Sequence, residues 1–205
     1  MKSLFILAVL VIVMMGATTI SKADPVVFLA TLTGPAESPP NASPGTGFAT
    51  VTYDSVAHTL HVQVTFSGLT AGTTASHIHS ATAIPGTGTA GVATTTPTFA
   101  GFPLGVTSGS YDNTLDMTLA SSYNPAFVTA NGGTPASAEA ALASSLFNGT
   151  AYLNIHTTNF PGGEIRGFLV QAVPEPTTML LLGTGLAGVA AKVRKRRKAS
   201  NGEEA

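Results

Sequence analysis

Three histidines stand where they could share one ion. In His77-Ile78-His79 the imidazoles are alternate residues. On a strand, alternate side chains point the same way about 6.5 to 7 Å apart, close enough to converge on a metal. His156 belongs to Tyr152-Leu153-Asn154-Ile155-His156, where Tyr152, Asn154 and His156 share the face opposite Leu153 and Ile155. If the two segments are neighbouring strands, three neutral nitrogen donors meet, a set suited to copper or zinc. The same residues have a second reading, a structural cluster in which each imidazole hydrogen-bonds a neighbouring Thr, Asn or carboxylate. His58 and His61 are three apart, so a strand sends them to opposite faces and they read as ordinary surface residues.

A second constellation is Gly162-Gly163-Glu164-Ile165-Arg166-Gly167. Here Glu164 and Arg166 alternate, which predicts an ion pair on one strand face, with Arg166 alternatively orienting an anionic ligand. Tyr152 and Asn154 join them as residues expected to serve structure or partner contact. No catalytic residue emerges. There is no Gly-x-Ser-x-Gly elbow, and the Gly-rich stretch 85–91 lacks the Lys and the helix start of a phosphate loop. The sequons at Asn41 and Asn148 read as chance matches if the source is bacterial, which the C-terminal tail implies.

The elements that must position these residues read mainly as strands. In 58–66, Leu60, Val62, Val64 and Phe66 share one face while Thr59, His61, Gln63 and Thr65 share the other. Comparable segments are 26–33, 48–54, 75–80, 115–119, 150–156 and 164–170, separated by Gly, Pro, Asn and Ser clusters. This predicts an all-β fold, an antiparallel Greek-key-like sandwich or barrel of about seven strands. One helix interrupts it at 136–147, with Thr134 as cap, Pro135 at the first helical position and Asn148-Gly149 as a stop. Residues 81–106, rich in Thr, Gly and Pro, read as a long irregular connection.

Composition narrows the function. The 205 residues contain no Cys, which excludes disulfides, thiolate nucleophiles and cysteine-ligated zinc or iron–sulfur sites. Hydrophobic residues make up 44%, enough to bury a core. Between Asp24 and Ala172 the single base Arg166 faces seven acids, so nucleic-acid binding by this part is not expected.

Both ends read as addresses. Lys2, the apolar run 4–15 and the small, polar 16–23 ending Ser21-Lys22-Ala23 predict a signal peptide over 1–23, with the mature domain at 24–172. Residues 173–205 begin with a proline pair and continue into a mostly apolar stretch. A helix over 177–191 would be about 22 Å long, short of the roughly 30 Å hydrocarbon core but extendable by snorkelling bases. The bases that follow, Arg194, Lys195, Arg196 and Arg197 among them, favour the cytoplasmic side. This tail resembles the PEP-CTERM sorting signal of Gram-negative bacteria, on Pro174-Glu175-Pro176, a short spanning helix and a terminal basic cluster. The resemblance implies an inner-membrane-anchored precursor that an exosortase-type enzyme processes and delivers to the cell surface or extracellular matrix.

Residues 27–170 resemble the CHRD (chordin-type) domain. The likeness rests on Pro35-Ala36-Glu37-Ser38-Pro39-Pro40, on His77-Ile78-His79, on Ala151-Tyr152-Leu153-Asn154-Ile155-His156-Thr157 and on Pro161-Gly162-Gly163-Glu164-Ile165-Arg166-Gly167. It implies an extracellular β-domain and a surface or matrix module, and no particular reaction. The histidines are also faintly similar to those of copper-zinc superoxide dismutase, whose bridging His and Asp are not matched here. The combined expectation is a non-enzymatic exported module that binds an extracellular protein or polysaccharide. Its alternative is a copper- or zinc-binding protein or redox enzyme using His77, His79 and His156. No other cofactor is expected.

Overall fold

The computed structural model describes residues 24–173. The predicted signal peptide, the Pro174-Glu175-Pro176 triplet, the 177–191 span and the basic tail lie outside the described residues. The chain divides at Gln171, and the architecture below is that of the first unit. Among the described residues, no helix is long and apolar enough to cross a membrane.

Period-two alternation builds the sheet. Strands β1 (Val26–Thr33), β2 (Thr46–Asp54) and β3 (Thr59–Ser67) form an antiparallel meander, and β5 (Gly109–Asp116) pairs with β3. On the other side of β1 lie β7 (Ile165–Phe168), then β6 (Tyr152–Thr157), then β4 (Thr73–His79), with the short β8 (Val170–Gln171) also paired to β1. The expected all-β antiparallel fold takes the form of one curled eight-stranded sheet, a half-barrel.

The inward residues of the alternation make the core. Phe28 and Leu32 from β1, Val51 from β2, Leu60 and Val62 from β3, and Leu153 and Ile155 from β6 are all fully buried. Each such side chain contributes about 1.5–3 kcal/mol by leaving water. Helix α2 (Pro135–Phe147; α1 is Pro125–Ala130) lays Ala138, Leu142 and Leu146 on this core. Its start is a capping box: the Thr134 hydroxyl accepts from Ser137 N at 3.1 Å while Ser137 Oγ accepts from Thr134 N at 3.2 Å. Glu139 on α2 accepts from the Tyr53 hydroxyl at 2.9 Å and ties the helix to β2.

Three details differ from the expectation. The last predicted strand is split at Leu169, which is buried and gives its N–H to Ala151 O at 3.0 Å, next in the β6 register, while Val170 and Gln171 pair with β1. The fifth strand is Gly109–Asp116 and not 115–119, since the Asp116 carboxylate accepts from Thr118 N at 2.9 Å and closes a turn there. Helix α1, six residues capped by Asn124, is too short to show a helical period.

The β4–β6–β7 end is covered on both sides. Along β4, Ser76 to His79 are all buried, as are Tyr152 to Ile155 on β6 and Ile165 to Gly167 on β7. One face meets the apolar core. Against the other lie the irregular 81–106 connection and the turns around Gly34–Ala36 and Pro161, enclosing a second, polar interior.

Candidate metal centre

The polar interior is centred on His77, His79 and His156. Strands β4 and β6 are neighbours, with His77 opposite Asn154, His79 opposite Tyr152 and His156 opposite the small Ala75. The three ring centroids form a near-equilateral triangle with separations of 5.3, 5.8 and 5.8 Å. His77 and His79 are buried, and His156 is half-buried with its Nε2 shielded from solvent.

Each ring donates one N–H to a backbone carbonyl. His77 Nε2 donates to Pro97 O at 2.5 Å, His79 Nδ1 to Ala90 O at 2.9 Å and His156 Nδ1 to Pro161 O at 2.9 Å. These bonds select the tautomer and leave His77 Nδ1, His79 Nε2 and His156 Nε2 as lone pairs, all buried and without a hydrogen-bond partner. One nitrogen of each residue lies within 4.8 Å of one nitrogen of each of the others. Three points so placed share a centre about 2.8 Å from each, within a modest side-chain adjustment of the roughly 2.0–2.1 Å of a zinc–imidazole bond.

Electrostatics hold the rings in the state a metal needs. Burial pushes all three imidazoles below the usual histidine value, more strongly than the carbonyl acceptors pull them up, and His79 falls to about 4. They are therefore neutral at neutral pH. A purely structural cluster accounts for one nitrogen per ring and leaves the other desolvated, at about 1–3 kcal/mol each. A bound cation with affinity for imidazole satisfies all three, so the residues fit copper or zinc.

Tyr152, Asn154 and Arg166 line the same interior. The Tyr152 ring stacks on His79 with centroids 4.8 Å apart, and its hydroxyl lies within hydrogen-bonding distance of both the N–H and the carbonyl of Ala90. The Arg166 guanidinium lies 4.7 Å from the Tyr152 centroid and 5.6 Å from that of Phe168. It donates from Nε to Ala36 O at 2.5 Å and from Nη1 to Gly88 O at 2.9 Å, pinning both turns to the sheet.

The predicted Glu164–Arg166 ion pair does not form. Gly163, at φ 130°, redirects the chain so that β7 begins at Ile165, and Glu164 is not part of that strand face. Its carboxylate accepts instead from Ser43 Oγ, Thr157 Oγ1 and Thr70 N at 2.6, 2.5 and 2.6 Å. Burial raises its pKa, but these donors more than offset it and the net shift is downward. The acid beside Arg166 is Glu37, with Oε2 3.7 Å from Nε. Glu37 carries no spacing signal in the sequence and comes to the site through the Gly34–Ala36 turn. The carbonyls of Ala90, Pro97 and Pro161 were likewise invisible, since every residue carries one.

The other histidines are elsewhere. His58 sits in the turn before β3, at φ 53°, and not within the strand; its Nδ1 lies 2.9 Å from Glu139 Oε2. His61 is at the surface with Nε2 2.6 Å from Asp112 Oδ1. Neither adds a ligand.

The CHRD domain matches residues 28–169, most of the chain and all of the strands around the histidines. The chain belongs to the CHRD-domain family. Behind its CHRD domain, the PEP-CTERM protein-sorting motif matches residues 172–197, covering Pro174-Glu175-Pro176 and the bases through Arg197. This motif marks an exported protein that is membrane-anchored before an exosortase-type enzyme processes it. Comparison with curated proteins and with solved structures gives no match.

Proposed function

We propose that this protein is a non-enzymatic metal-binding module of the cell surface or extracellular matrix. Its CHRD domain holds one copper or zinc ion through His77 Nδ1, His79 Nε2 and His156 Nε2. The observation that carries this is the trio of buried, unpartnered nitrogens, each oriented by a carbonyl bond from its opposite ring edge. A binding role is favoured because loop segments lie over the cluster, with the carbonyls of Ala90, Pro97 and Pro161 held against the three rings.

The test is metal analysis of the full chain in detergent after reconstitution with copper or zinc. One ion per chain is expected, with affinity reduced roughly a hundredfold or more in His77→Ala and His79→Ala variants that keep the wild-type circular dichroism. Wild-type protein that takes up no ion, or variants that bind as tightly, would overturn the assignment and return the histidines to a structural role.

A further inference from the structure

Resting on the metal reading above, the structure assigns the site a preference for cuprous over cupric or zinc ion. The donor cluster consists of three neutral histidines and includes no carboxylate. Three ligands satisfy a cuprous ion, whereas zinc and cupric ions ordinarily recruit a fourth. The nitrogens are also desolvated, and the cost of placing an ion in such surroundings rises with the square of its charge.

A fixed positive charge acts in the same direction. Arg166 contacts the Tyr152 ring that stacks on His79, and its charge is felt at that imidazole. The carboxylate that would cancel it, Glu37, is 3.7 Å away and is itself buried. Desolvation raises its pKa to about 7 against the pull of Arg166, so near neutral pH the guanidinium is only partly compensated. A second positive charge on the ion is therefore opposed more strongly than the first.

Competition titrations with chromophoric chelators test this on the full chain in detergent, with ascorbate for the cuprous series and air for the cupric and zinc series. Cuprous affinity should exceed both others by at least about a hundredfold, and the ratio should shrink roughly tenfold in Arg166→Gln. Because Arg166 also pins two turns, Arg166→Gln is interpreted only where its melting temperature is near wild type. Glu37→Gln, of the same shape but without the counter-charge, should move the ratio the other way and decides the case if Arg166→Gln unfolds. Zinc or cupric binding as tight as cuprous, or a ratio unmoved by Glu37→Gln, overturns the preference while leaving the three-histidine site standing. Absence of any binding instead removes the site itself.

Discussion

At the scale of single residues, the polar interior balances two opposite pH dependences. The buried imidazoles bind protons more weakly folded than unfolded, so they favour the folded state above about pH 6.5 and lose that contribution as pH falls. Glu37 does the reverse. Burial raises its pKa from 4.5 to about 7, with Arg166, the Ser38 N–H and the Asn154 side chain pulling it down less strongly. The folded state therefore holds the Glu37 proton more tightly, and its contribution is present below about pH 4.5 and lost as pH rises towards 7. In metal-free protein, denaturant titrations across this range should show wild type losing roughly 2 to 3 kcal/mol relative to Glu37→Gln. Parallel pH curves for the two proteins would show that the Glu37 carboxyl titrates normally. Gly163 belongs to the same scale, since a Cβ there would clash with Nδ2 and Oδ1 of Asn154 and come within 2.7 Å of Glu37 Oε1.

At the scale of elements, stability comes from burial where a strand is two-sided and from local chemistry where a segment begins or ends. Strand β3 alternates buried and outward residues and was recognisable from its pattern alone. Strands β4 and β6 carry histidine, asparagine and serine inside a buried zone, so their sequences understate their burial. The α2 boundary was readable because capping is local: Thr134, Pro135 and Ser137 make their bonds within three residues of each other. Replacing Thr134 by Ala removes the hydroxyl that accepts from Ser137 N, while the backbone N–H of residue 134 can still donate to Ser137 Oγ, and should cost about 1 kcal/mol, read from the urea midpoint at unchanged slope. An unchanged midpoint would mean that packing of Leu142 and Leu146 holds the helix start without its cap. The fifth strand was misplaced for a related reason, because apolar alternation continues through Met117 and Leu119 while the Asp116 turn has already ended the ladder.

At the scale of the whole molecule, a folded module precedes an address. The family match ends at residue 169 and the sorting motif begins at 172, so the two are separated only by β8. The triplet at Pro174-Glu175-Pro176 lies immediately beyond it. Substituting all three by Ala should leave the full-length precursor in the membrane fraction of the native host, with its mass showing the basic tail still attached. Normal release of a shortened product would show that processing does not depend on the triplet. The substitution leaves every core side chain untouched, so metal uptake by the accumulated precursor should match wild type.

What the amino-acid sequence determined by itself was local: the period-two strands, the capped helix, the alternate spacing of His77 and His79, the absence of thiols, and the C-terminal sorting motif. Each depends on neighbours a few residues apart, where covalent geometry sets direction. Only the tertiary structure decided that His156 meets the other two, that Arg166 faces Glu37 while Glu164 turns to Ser43, Thr70 and Thr157, and that one nitrogen of each imidazole remains unclaimed. Those outcomes depend on strand order and on carbonyls from distant loops. A carbonyl is common to every residue, so no residue type announces it, and its position follows from how the whole chain packs.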